Sequence, residues 1–190
     1  MNFIGRTEEI KKLNKVINSN EFSFSLIFGR YHIGKTELIK QVIKPSNAIK
    51  IYYECKAVSE LSNVSGLSDI LSEEFNLPKL NFDSIESILK YIFELSKKQK
   101  IVLVLDEYPY LRNSVEGMDS ILQALIDKYK DSSKLSFLIL GSYIDVMRSL
   151  LLHSNPLYGR VDLTIELKPM DYYDSSLFYP NYSIEDKVKI

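Results

Sequence analysis

Gly29-Arg-Tyr-His-Ile-Gly34-Lys35-Thr36 places two glycines, a lysine and a hydroxyl at the spacing G-x-x-x-x-G-K-[ST]. Each fixed position answers a physical need. The glycines permit a tight turn and bring backbone N–H groups close to phosphate oxygens. A helix opening at the end of the loop adds the partial positive charge of its N-terminus. Lys35 is placed to reach β- and γ-phosphates, and the Thr36 hydroxyl to ligate Mg²⁺. The loop and its first helical turn make Gly29, Arg30, His32, Ile33, Gly34, Lys35, Thr36 and Glu37 the cofactor-binding candidates. His32 is also readable as an exposed bystander, as loop histidines usually are.

The second constellation is Ile101-Val-Leu-Val-Leu-Asp106-Glu107, an apolar run ending in two carboxylates. Alone it would read as a strand ending in an acidic turn. Beside a phosphate loop, Asp106 becomes a metal-shell candidate with Thr36, and Glu107 a candidate general base acting on water. A third apolar run ends in Gly141-Ser142. Ser142 is either a sensor of phosphate or attacking water, or simply the N-cap of the helix that follows.

These residues need elements to hold them. Short β-rich runs at 22–28, 50–53, 101–105, 135–140 and 161–167 alternate with helical stretches, the pattern of an α/β fold with a mainly parallel sheet. The runs IVLVL and LSFLIL are continuously apolar, as expected of strands covered on both faces. Helices are expected at 8–17 with Thr7 as N-cap, and at 35–43, 66–75, 84–95, 118–129 and 143–152. Residues 76–82, with Pro78, read as a helix-to-helix turn. The long stretch between the two motifs holds a strand and two helices. It favours the branch in which the fourth strand separates the first from the third, giving a three-layer, five-stranded sheet of order 5-1-4-3-2.

Bulk properties narrow the classes further. The 190 residues are 45% hydrophobic and 26% charged with a net charge of -1, which gives no electrostatic reason to expect nucleic-acid binding. Lys97, Lys98 and Lys100 read as a solvated helix terminus. A lone cysteine, Cys55, rules out an intramolecular disulfide, and two distant histidines offer no zinc site. Neither a signal peptide nor a membrane-length apolar run is visible, so the expected location is the cytoplasm and no membrane partner is expected.

In order along the chain come Phe3-Ile-Gly5-Arg6-Thr-Glu8-Glu9, the phosphate loop, LDEYPYL, LILGS and Pro156-Leu-Tyr158-Gly159-Arg160. Together they resemble the bacterial and archaeal AAA-type ATPases related to the STAND class, over nearly the whole chain. That resemblance implies ATP and Mg²⁺ as cofactors, with ATP preferred over GTP because no N-K-x-D segment is present. It makes Phe3, Ile4, Gly5 and Arg6 adenine-side candidates. Arg160 then stands where such proteins carry an arginine able to stabilise γ-phosphate charge in cis or from a neighbouring subunit; a salt-bridged surface arginine is the alternative. Val161 departs from relatives that carry a second basic residue there. The implied catalytic set is Lys35, Glu107, Ser142 and Arg160. Residues 1–170 are expected to form the ATPase domain, and 171–190, with Ser183 as an N-cap, to begin a helical lid continuing into further domains. The implied partners are ATP or ADP, with self-association or a protein partner left open and nucleic-acid contact assigned only to C-terminal domains beyond the chain. The expected function is Mg²⁺-dependent ATP hydrolysis that drives or gates conformational change. The alternative is a nucleotide-gated switch or scaffold with little turnover.

Overall fold

The computed structural model describes residues 5–170. Its elements run α1 (Thr7–Ile17), β1 (Ser23–Gly29), α2 (Lys35–Ile43), β2 (Ile49–Glu54), α3 (Glu60–Phe75), α4 (Ile85–Ser96), β3 (Ile101–Asp106), α5 (Tyr108–Ser114), α6 (Met118–Tyr129), β4 (Leu135–Gly141), α7 (Ile144–Ser149) and β5 (Leu163–Leu167). The sheet is parallel throughout, in the order β2-β3-β4-β1-β5. This is the expected order, with β4 between the strand that feeds the phosphate loop and the strand that ends in Asp106.

Helices cover both sheet faces, which is why β1, β3 and β4 are buried at every position. Alternation along each strand splits the core in two. On one face Phe24, Leu26, Leu103, Leu105, Phe137 and Ile139 pack with residues of α3 to α6. On the other, Ile27, Val102, Val104, Leu138 and Leu140 pack against Leu13 and Ile17 of α1 and Leu38, Ile39 and Val42 of α2. Thus α2, which carries Lys35 and Thr36, lies on the second face. Among the described residues no helix is long and apolar enough to cross a membrane.

Several local expectations are corrected. Arg6, not Thr7, occupies the N-cap position of α1, in a left-handed conformation (φ 60°) without a side-chain cap. Helix α3 starts at Glu60, where Ser59 accepts from Ser62 N, rather than at Gly66. Gly66 sits inside the helix because a Cβ there would lie 2.9 Å from the Tyr53 ring. Its signal was close packing, not a boundary. Helix α7 is shorter than 143–152 and gives way to turns after Ser149. Helix α5, unanticipated, begins directly after Glu107 with a proline in its first turn, a position where the missing N–H costs nothing. Residues 76–82 do connect two helices, with Asn76 in the left-handed C-cap of α3. Of the lysine cluster, Lys97 pairs with Glu94 at 2.7 Å and Lys100 donates to Ser136 Oγ at 2.7 Å.

Candidate functional site

The loop from Gly29 to Gly34 leaves the end of β1 and opens α2, as the motif requires. Gly29 is fixed by close approach, since a Cβ would stand 2.5 Å from the Leu167 carbonyl oxygen of β5. Gly34 (φ 92°) and His32 (φ 58°) are both left-handed. Arg30, His32 and Glu37 are exposed and Ile33 is partly buried. At the head of α2, Lys35 is buried. Its Nζ donates to Gly29 O (3.0 Å), Arg30 O (3.1 Å) and Ser142 Oγ (2.7 Å). Burial lowers the Lys35 pKa from its ordinary value, opposed by the charges of Glu107 and Asp106.

Ser142 follows the last residue of β4, and its hydroxyl donates to Glu107 Oε1 while its N–H donates to Oε2 at 3.2 Å. Lys35, Ser142 and Glu107 therefore form one chain of contacts drawn from three segments distant in sequence. Tyr143 holds the N-cap position of α7 and no side chain caps it, so the N-cap reading of Ser142 is set aside. Glu107 itself is left-handed (φ 51°). That conformation is costly for a side-chain-bearing residue and collects at functional sites.

Thr36 Oγ1 donates to Asp106 Oδ2 at 2.7 Å, and Asp106 is 3% exposed. The opposite carboxylate oxygen accepts from Glu107 N at 2.9 Å. Two hard oxygen donors side by side suit Mg²⁺, which typically takes one or two protein ligands and completes its shell with phosphate and water. No cluster of three His, Cys, Asp or Glu residues is found among the described residues. The donor set fits Mg²⁺ far better than a zinc-type cage.

Arg6 is drawn to the same end of the sheet. Its Nη2 donates to Lys168 O at 2.7 Å and to Ile33 O of the loop at 3.5 Å, and Nη1 meets Glu9 at 3.4 Å. Gly5 beside it is left-handed. Phe3 and Ile4 lie outside the described residues, as does Ser183 with the rest of 171–190.

Arg160 is not brought to this group. It forks onto Asp127 at 2.9 and 2.7 Å and donates to the carbonyls of Pro156 and Tyr158. It precedes β5, whose first residue Leu163 pairs with Ser25 near the start of β1, whereas the loop leaves β1 at Gly29, paired with Leu167. Four residues of strand separate those levels, about 13 Å at the usual rise. In this arrangement Arg160 does not reach the phosphate loop of its own chain and makes the salt bridge that the sequence offered as its alternative.

Two features were missed in the sequence. Tyr52 of β2 donates its hydroxyl to Asp106 Oδ2. Tyr31, Tyr110 and Tyr143 meet at the mouth of the site through contacts of 3.0 and 3.5 Å between hydroxyls. Both depend on strand register and loop placement. Only the Tyr52-Tyr53 pair gave a hint, because alternation turns one of them toward the Asp106 face. Cys55 is buried, and burial together with the charges of Asp106 and Glu107 pushes its thiol pKa well up, which disfavours the thiolate.

A parallel sheet with this order, a phosphate loop at the C-terminal end of one strand and a paired acidic strand end define a P-loop ATPase-type domain. A family model for an ATPase domain predominantly from Archaea matches residues 3–187, and the chain belongs to that family. An uncharacterized protein of Methanocaldococcus jannaschii is 30% identical over 189 residues, covering 99% of this chain and 40% of that protein. The Walker-type ATPase of Pyrococcus abyssi superposes with a TM-score of 0.68 at 19% identity, over 93% of this chain and 57% of its own. The ORC2 protein of Aeropyrum pernix, solved with ADPNP and ADP, gives 0.70 at 15% identity, over 99% and 54%. The chain thus spans roughly half the length of the proteins it matches. At these identities the two structures support the fold.

Proposed function

We propose that this chain is the ATP-binding domain of an AAA-type, STAND-related ATPase, which hydrolyses ATP with Mg²⁺ and so drives or gates motion in a larger protein. The observation that carries the reading is the Lys35–Ser142–Glu107 chain beside the Thr36–Asp106 pair, five residues from the head of α2 and the ends of β3 and β4 gathered at one phosphate loop. Lys35 neutralises the β- and γ-phosphates, and the loop N–H groups cradle them. Thr36 and Asp106 would hold Mg²⁺, which when bound would offset phosphate charge. Glu107 takes a proton from the attacking water, and Ser142 reports the γ-phosphate. Gly5 and Arg6 serve the adenine side, supported by the Arg6 contact to the loop at Ile33; Phe3 and Ile4 share that role by their place in the sequence motif. Arg160 reaches a phosphate only from a neighbouring copy. Residues 1–170 form the ATPase domain and 171–190 begin the lid; the protein works in the cytoplasm.

A switch with little turnover is the second reading. It is favoured by the three contacts that occupy all three Lys35 N–H donors on its own chain, at least one of which must yield before Lys35 reaches a phosphate. Glu107→Gln separates the two. Hydrolysis should fall by about 10²–10⁴-fold while ATP affinity stays within a few-fold. Unchanged turnover would remove Glu107 from the base role, and the absence of measurable turnover in the unsubstituted protein would favour the switch.

A further inference from the structure

Asp106 is the only carboxylate in the Thr36 pair, and it is buried, so its position depends on what donates to it. Three donors do. Thr36 Oγ1 and the Tyr52 hydroxyl both reach Oδ2, and Glu107 N reaches Oδ1. Thr36 is itself a metal-ligand candidate and Glu107 N belongs to the adjoining residue. Among the described residues, Tyr52 is the donor that is neither a metal-ligand candidate nor adjacent to Asp106 in the chain.

Register explains how it reaches. Tyr52 pairs with Val104 and Glu54 with Asp106 across β2 and β3. Side chains two apart share a face, so Tyr52 and Asp106 are diagonal neighbours on one side of the sheet. Diagonal positions lie about 7–8 Å apart, a gap that a long aromatic side chain spans. That side is the one covered by α2, and Lys40 of α2 lies 5.6 Å from the Tyr52 ring centroid. The phenol is thus held between strand and helix with its hydroxyl on the carboxylate. Tyr53, its neighbour, faces the opposite core and bonds Asn63 instead.

We propose that Tyr52 is a positioning residue for the metal-holding carboxylate: its hydroxyl fixes the Asp106 rotamer so that the carboxylate stands beside Thr36 before the metal arrives. This rests on the Mg²⁺ assignment above. Outer-shell partners of metal ligands commonly govern affinity in this way, and their loss weakens metal binding by about 10–100-fold. The Tyr52 hydroxyl bonds Asp106, and its ring lies against Lys40, so its influence is expected in the metal-dependent part of binding.

The test compares ADPNP binding by calorimetry with Mg²⁺ and with the metal chelated, for the unsubstituted chain, Tyr52→Phe and Asp106→Ala. Tyr52→Phe keeps the ring and its packing and removes only the hydroxyl. The expected result is a fall of roughly ten-fold in the Mg²⁺-dependent gain in affinity. Metal-free affinity should be unchanged, and Asp106→Ala should abolish the gain. Thermal melting without nucleotide is the control. The lost hydrogen bond lowers the melting temperature under either role, but a packing role would shift both affinities together, which overturns the proposal. A Tyr52→Phe gain equal to or greater than that of the unsubstituted chain also overturns it, while the Mg²⁺ assignment stands if Asp106→Ala loses the gain. Absence of any Mg²⁺ dependence in the unsubstituted chain overturns both.

Discussion

Ser142→Ala probes the contact chain at its middle. The hydroxyl accepts from Lys35 Nζ at 2.7 Å and donates to Glu107, and both Ser142 and Lys35 are buried. A hydrogen bond to a charged group is worth about 1.5–3 kcal/mol. Lys35 keeps two carbonyl acceptors and Glu107 keeps the Ser142 N–H, so the low end applies, about 1.5 kcal/mol. For a domain of this size that lowers the melting temperature by about 3–6 °C. Binding responds in the other direction. Nucleotide draws Lys35 away from Ser142, so the substitution destabilises the free state alone and ADP binds up to about ten-fold tighter. With ATP that gain is offset by the lost contact to the γ-phosphate, and the preference for ATP over ADP shrinks by about ten-fold. Calorimetry with both nucleotides reads the ratio directly. Parallel weakening of ATP and ADP would refute both the self-restraint of Lys35 and the sensor role.

Two further outcomes follow from the packing. Gly29→Ala sets a Cβ against the Leu167 carbonyl, backbone against backbone, so β1 and β5 must part. We expect a loss of about 1–3 kcal/mol in denaturant unfolding, with weaker ATP binding because the loop starts there. Asp119 accepts from Tyr108, Arg112 and Asn155. Burial alone would raise its pKa, but the hydrogen bonds from Arg112, Asn155 and Tyr108 outweigh it and hold the carboxyl below its ordinary value. A depressed folded pKa contributes stability that is complete above the unfolded value, about 3.9, and is lost as pH falls through the folded value. Asp119→Ala should therefore cost about 3 kcal/mol near neutral pH. The gap to the unsubstituted chain should close in acid, as chemical denaturation at a series of pH values will show.

The phosphate loop and the acidic strand end were legible because their chemistry is local: contiguous residues, a strand before and a helix after. The strand order was legible because the insertion between the two motifs fixes the topological branch. Other features depend on pairing across the sheet. Tyr52 meets Asp106 through register between β2 and β3, which no spacing along the chain records. Asp119 of α6 gathers partners from α5 and from the loop at Asn155, a tertiary packing that spacing along the chain does not record either. Gly66 misled because a mid-helix glycine and a boundary glycine look alike until Tyr53 is seen against it. The sequence left Arg160 open between a phosphate role and a salt bridge, because its context marks the start of β5, while the phosphate loop lies where β5 ends.

The central claim is that the loop from Gly29 to Thr36 binds ATP phosphates with Mg²⁺. Calorimetric titration of ATP with and without Mg²⁺, beside Lys35→Ala, tests it most directly. The account predicts metal-dependent binding that Lys35→Ala weakens by about 2–5 kcal/mol, the range for removing one partner of a buried charged pair. Equal ATP affinity in Lys35→Ala and the unsubstituted chain would contradict it.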